Sequence, residues 1–154
     1  LGYETPTVSE DGDVYKIGSA VSYGGEVGYD FKLSEKKTFG PFANYEFSSV
    51  KLCDGSDCLK EKGNLSVGGR FAYVASPKIA IYAKLGYGRI SFRARSGALT
   101  GTANKGGVQG GLGAEFAIDK QFYGFVEGSY ADYGKLFGIN LQRRQVAGGF
   151  GVRF

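Results

Sequence analysis

The stretch that decides the fold is QVAGGFGVRF, residues 145–154. Its even positions are Val146, Gly148, Phe150, Val152 and Phe154, and its odd positions are Gln145, Ala147, Gly149, Gly151 and Arg153. A period of two puts apolar side chains on one face of a β-strand and small or polar ones on the other. A helix, with its longer period, would mix the two sets. In water, an apolar strand face ending on an unprotected aromatic invites aggregation. In lipid the same face is at home.

The alternation recurs upstream. Over residues 16–33, seven of the nine odd positions are apolar or aromatic (Ile17, Val21, Tyr23, Val27, Tyr29, Phe31, Leu33), and no even position is a large apolar residue. Comparable segments run over 38–52, 64–75, 79–95, 107–118 and, least cleanly, 122–134. Between them lie tight turns, SEKK at 34–37, SPK at 76–78 and DKQ at 119–121, and longer polar stretches at 6–13, 53–63 and 96–106. A short connection over 135–140 leads to the final strand, and LGYET at 1–5 reads as the upper end of a strand begun before Leu1. Connections alternate tight and long, with the tight ones on the side of residue 154. The expectation is an all-β, eight-stranded antiparallel up-and-down transmembrane barrel, its first strand truncated, with residues 1–154 as a single domain.

Aromatic placement supports the membrane. Tyr29, Phe31, Phe39, Tyr73, Phe116, Phe122 and Phe154 lie near the tight-turn end, and Tyr3, Tyr45, Phe47, Tyr87 and Tyr130 near the other, all with the apolar parity. Two such belts are what the two interfaces of a bilayer select. A mean hydropathy of −0.19 is no objection, because barrel strands alternate and average out. No apolar run is long enough for a membrane helix. No signal peptide is visible at Leu1, which fits an exported chain in mature or trimmed form. A lipocalin-like carrier would reverse the two faces and lacks its Gly-x-Trp motif here, since the chain has no Trp.

The formal net charge of +4 reads as dispersed surface Lys and Arg rather than a nucleic-acid footprint. Cys53 and Cys58, in CDGSDC, are expected to form a disulfide across a short loop; the alternatives are two free thiols or half of a zinc site. Zinc lacks support because there is no His and no second Cys pair. Asp54 and Asp57 make a poor calcium site. GGVQGG at 106–111 lacks the GK[ST] ending of a phosphate loop.

With GGEVGYDF at 24–31 and VAGGFGVRF at 146–154, the whole chain resembles the eight-stranded bacterial outer-membrane barrels typified by OmpA and OmpX. The resemblance implies a bacterial outer-membrane location, with long loops extracellular and tight turns and carboxyl terminus periplasmic. It also makes Phe150, Val152 and Phe154 the C-terminal assembly signal, read by the barrel assembly machinery. Departures are the truncated first strand, belts without Trp and loops short for an adhesin. Barrel enzymes with a His-containing site are set aside because His is absent.

The inward parity carries Glu26, Glu46, Arg70, Lys84, Glu115, Glu127, Gln145 and Arg153. An eight-stranded barrel is just wide enough to be filled by side chains, so charges inside it must pair. The main reading is an ion-pair plug in a non-enzymatic protein with a structural or surface-interaction role. The alternative, implied by the resemblance, is a narrow ion-conducting pore gated by those charges. Arg89, Arg93, Arg95 and Arg144 share the outward parity at the loop end, where their guanidinium groups suit the phosphates of lipopolysaccharide; the alternative is that they are solvated loop charges. No cofactor or metal is expected. The lipid and lipopolysaccharide of the outer membrane are the expected partners, with any further surface ligand unidentified.

Overall fold

The structure, a computed structural model, describes residues 1–10, 13–16, 19–54, 57–96, 99–136 and 139–152. Within these, the side chains of 8–10, 13–16, 51–54, 57, 59, 92, 94–96, 99–100, 135–136 and 139 are not described. The strands are β1 (Gly2–Glu10), β2 (Asp13–Lys16), β3 (Ala20–Gly28), β4 (Phe31–Ser34), β5 (Lys37–Ser48), β6 (Lys51–Asp54), β7 (Asp57–Ser76), β8 (Ile79–Ser96), β9 (Leu99–Ala117), β10 (Phe122–Leu136) and β11 (Ile139–Val152). β1, β3, β5, β7, β8, β9, β10 and β11 pair antiparallel in turn, and β11 returns to β1. Eight strands therefore close an up-and-down barrel. β2, β4 and β6 pair only as hairpin partners of β1, β5 and β7.

The outward face is the apolar one. Val27, Leu85, Leu112, Val146 and Phe150 are all exposed, Phe150 at 84%. Tyr3, Tyr29, Phe31, Phe39, Tyr45, Phe47, Tyr73, Tyr87, Phe116, Phe122 and Tyr130 are exposed with them. On β11 the apolar band ends at Val146, on β7 at Leu65 and on β10 at Tyr130; Arg144, Lys62 and Asp132 are the next outward positions. The core lies in the lumen, and much of it is polar: Glu4, Glu46, Glu61, Asn64, Gln109, Glu115 and Arg143 are all buried. Phe42, Ala72 and Tyr82 are buried lower in the lumen, and at the loop end Ile90, Ala131, Tyr133 and Leu141 form a buried apolar cluster.

The long polar stretches correct the sequence reading. Thr7 to Glu10 pair with Lys16 to Asp13, Lys51 to Asp54 pair with Lys60 to Asp57, and Arg93 to Ser96 pair with Thr102 to Leu99. These are hairpin extensions of the wall rather than irregular loops. The connection at 135–140 is likewise mostly strand, with β11 joining β1 from Asn140. A spanning strand needs roughly 9–11 residues, and β7 has 20, so β7 to β9 project well past the apolar band. Above that band neither face needs to be apolar, and the alternation that marks a strand in sequence disappears.

Two departures from a regular ladder re-aim side chains. On β7, Glu61 pairs with Phe92 and Gly63 with Ser91, so Lys62 is an extra residue in a β-bulge. The bulge turns Glu61 into the lumen and leaves Lys60 and Lys62 exposed outside. The second departure separates β3 from β4 at Tyr29 and Asp30, where Tyr29 N donates to Pro41 O at 3.1 Å. Gly40 makes this bend possible. A Cβ there would lie 1.5 Å from the Tyr29 carbonyl oxygen.

β1 meets β3 only over Gly2 to Glu4, but meets β11 from Gly2 to Ser9. Below Gly2, a recess of about 180 Å³ lies between β3 and β11, lined in part by Glu26, Lys84, Tyr123, Phe125 and Phe150.

Candidate functional site

The lumen holds two ion-pair networks stacked along the barrel. In the lower one, Arg70 on β7 reaches Asp30 at 2.7 Å and Glu115 on β9 at 2.5 Å. Lys84 on β8 reaches Glu26 on β3 at 2.7 Å and Glu127 on β10 at 2.6 Å. The Tyr82 ring lies beneath both cations, 4.5 Å from the Arg70 guanidinium carbon and 5.1 Å from Lys84 Nζ. Such contacts add cation–π attraction to the ion pairs. The ring fits because its register partner is Gly113, where a Cβ would sit 2.4 Å from the Tyr82 Cζ. Two cations thus face four carboxylates within one layer.

A polar layer separates the networks. Ser129 Oγ donates to Gln145 Oε1 at 3.2 Å, and Gln145 Nε2 donates to Ser22 Oγ at 2.8 Å. Above it lies the second network, centred on Arg143 of β11. Arg143 Nε donates to Glu4 Oε2 at 2.5 Å, and Nη2 donates to Glu46 Oε2 at 2.5 Å. Glu61 stands 4.0 Å from Nε, and neither of its carboxylate oxygens has a hydrogen-bond partner. Beside the cluster, Tyr133 Oη donates to Asn64 Oδ1 at 3.1 Å, and Asn64 Nδ2 donates to Gln109 Oε1 at 3.0 Å. Tyr133 and Leu141, of the apolar cluster, lie farther toward the loop end along β10 and β11.

Arg143, Tyr133 and Glu61 lie beyond the outward apolar band, and burial dominates their titration. Burial alone would lower the Arg143 pKa, but Glu46 and Glu4 hold the guanidinium charged and raise it. Burial pushes the Tyr133 phenol up. It also raises the Glu61 carboxyl to about 8, with neighbouring Glu4 adding to the shift.

The structure divides the residues singled out in the sequence. Glu26, Arg70, Lys84, Glu115 and Glu127 meet in the lower network, whereas Glu46 belongs to the upper one. Arg153 lies outside the described residues, as does Phe154; Phe150 and Val152 point outward. Asp30, Glu4, Glu61 and Arg143 were not among the charges singled out. Asp30 is legible between outward Tyr29 and Phe31, and Glu4 follows by parity from outward Tyr3. Arg143 would follow from carrying the parity of Gln145 two residues back. Glu61 depends on the bulge, for which the sequence has no sign.

On the outside, Arg89 and Arg93 are exposed on β8, and the side chain of Arg95 is not described. Arg144 is exposed on β11, separated from them by β9 and β10. The residues that do join Arg89 and Arg93 are Lys60 and Lys62, with Lys60 directly opposite Arg93. None of these five cations makes an ion pair among the described residues. Cys58 is disulfide-bonded, and Cys53 is its register partner across β6 and β7.

A closed eight-stranded wall, apolar outside and charged inside, defines a membrane barrel. The chain belongs to the outer membrane protein beta-barrel domain family, whose model matches residues 1–154. It is similar in fold to Ail of Yersinia pestis, solved with the heparin analogue sucrose octasulfate, with a TM-score of 0.66 and 18% identity over 99% of this chain and 94% of that one. Neisserial surface protein A matches at 0.62 and 13% identity over 99% of this chain and 94% of that one. The N-terminal barrel of Pseudomonas aeruginosa OprF matches at 0.55 and 14% identity, over 97% of this chain and 95% of that one. Among curated protein sequences, none matches.

Proposed function

We propose that this chain is a non-enzymatic outer-membrane barrel, one domain throughout, whose lumen is plugged and whose work is structural and surface-interactive. The observation that carries this is the pair of ion-pair networks spanning the lumen, with the apolar cluster of Ile90, Tyr133 and Leu141 at its loop end. The projecting hairpins face the outside of the cell, the tight turns face the periplasm, and outward Phe150 and Val152 belong to the signal read by the assembly machinery. Arg89, Arg93, Arg95 and Arg144 contact lipopolysaccharide phosphates, with Lys60 and Lys62 enlarging the first group. Ail, crystallised with a polysulfated ligand, supports polyanion binding by such a barrel.

Planar-bilayer recording of the purified protein tests the plug. Steady conductance is expected to be absent from the unmodified protein and to appear on combining Arg70→Ala with Lys84→Ala. Steady conductance in the unmodified protein, abolished by Glu26→Gln and Glu127→Gln, would replace the plug with the ion-conducting pore.

A further inference from the structure

The geometry points to a bound proton at neutral pH, held on Glu61 in the upper lumen, that locks β1 and β7 against Arg143 at the loop end. This goes beyond the plug and does not depend on whether the lower lumen conducts. Three buried carboxylates, Glu4, Glu46 and Glu61, surround one guanidinium. Fully ionised, the cluster carries a surplus of two negative charges in a layer shut off from water, which is costly without compensation.

The surplus does not fall equally on the three. Arg143 directs hydrogen bonds to Glu4 and Glu46. Glu61 has only a 4.0 Å approach to Nε, and both of its oxygens are buried without partners, the residue being 1% exposed. A carboxylate in that position lacks the stabilisation of its charge that its two neighbours have. The groups facing it are Glu4 from β1, Glu46 and the Ser48 hydroxyl from β5, Arg143 from β11 and Tyr133 from β10; Arg143 and Ser48 favour its charged form, and burial with Glu4 and Glu46 outweighs them. From β8, the buried inward residue at this level is apolar, Ile90. Burial comes first and Glu4 second among the causes that raise its pKa to about 8, the same direction as the geometry. One proton lowers the surplus to one negative charge and lets Glu61 donate a hydrogen bond. The bulge at Lys62 is the device, since it delivers an acid to a layer where a regular ladder would have delivered lysines.

The sign of the linkage is fixed by the raised pKa. The folded barrel holds this proton more tightly than the unfolded chain, whose Glu titrates near 4.5. The stabilisation is therefore complete below 4.5, declines as pH rises and is exhausted above about 8. Infrared titration of the unmodified barrel in detergent is the direct test. A protonated-carboxyl carbonyl band is expected at pH 7, lost by pH 10 and missing from Glu61→Gln. Urea midpoints between pH 5 and 10 form the second arm: the unmodified protein weakens from pH 5 to 8, and Glu61→Gln shows a flatter profile and the higher midpoint at pH 9. Absence of the band at pH 7, or its persistence in Glu61→Gln, overturns the assignment. The infrared titration of the unmodified protein decides the matter if the variant fails to fold.

Discussion

The Tyr82 hydroxyl donates to Glu127 Oε2 at 2.9 Å, although Lys84 already holds the same oxygen at 2.6 Å. One carboxylate oxygen thus ties a phenol and an ammonium from β8 to β10. Tyr82→Phe keeps the ring beneath Arg70 and Lys84 and removes only the donor. A hydrogen bond to a charged group contributes about 1.5–3 kcal/mol, so the variant should lose stability at the lower end of that range, with the fold intact. Urea unfolding in detergent measures it.

Arg143 is the cation on which the upper network turns. Arg143→Met retains much of the volume and leaves Glu4, Glu46 and Glu61 facing one another. Breaking a buried ion pair from one side costs about 3–5 kcal/mol. The loss should be greatest above pH 8, where Glu61 joins the other two as an anion, and smaller at pH 5. A set of unfolding midpoints at pH 5 and pH 9 is the check.

Gly40 is a geometric requirement of the bend between β3 and β4. In Gly40→Ala the new Cβ would meet backbone, the Tyr29 carbonyl oxygen, at 1.5 Å, so no side-chain rotation relieves it. The bend must shift, carrying Asp30 away from Arg70. The barrel should fold in lower yield or lose its resistance to unboiled SDS. By contrast, Gly25→Ala meets nothing within 4 Å and should behave as the unmodified protein on the same gel.

The outer rim predicts a division among the arginines. Like charges directly opposite on paired strands repel, so Lys60 and Arg93 call for a shared anion. Replacing Lys60, Lys62, Arg89 and Arg93 together by Gln should cut lipopolysaccharide co-purification several-fold. Arg144→Gln, three strands away, should have a small effect. Equal retention by the quadruple variant and the unmodified protein would remove lipopolysaccharide from the proposal.

Reduction should be mild. On the loop-entropy account, a disulfide closing a ring as short as that from Cys53 to Cys58 contributes about 2 kcal/mol. The hairpin it spans already has a ladder of four register pairs, Lys51–Lys60 to Asp54–Asp57. Reductant should lower the unfolding midpoint slightly and leave heat-modifiability on the gel unchanged.

What could be read from the sequence follows from where the surroundings impose a pattern. Val146, Phe150 and Val152 alternate with small residues because lipid lies on one side and a narrow lumen on the other, and that contrast is visible in the bare letters. Past Arg144 the outside is no longer apolar, so the alternation that would place Arg143 and Leu141 in the same lumen stops short of them. Glu61 was hidden for a different reason: its direction is set by an extra residue at Lys62, and its meaning by Glu4 and Arg143 on strands far away in sequence. The pairing of Lys60 with Arg93 is likewise a matter of register between strands, and no spacing within one segment announces it.

The closure of the wall has a consequence in time. β1 joins β11 by contacts such as Glu4 with Arg143, 139 residues apart in the chain, and Leu1 with Gly148, 147 apart. Pairings of such long range are slow to find, because the loop must close before any contact rewards it. Until that happens β1 and β11 each present an unsatisfied edge, which in lipid is intolerable for backbone groups. No partly built wall can contain the Arg143 cluster. Its formation marks the moment at which folding is complete, and whatever weakens it acts on the last step of assembly as much as on the finished barrel.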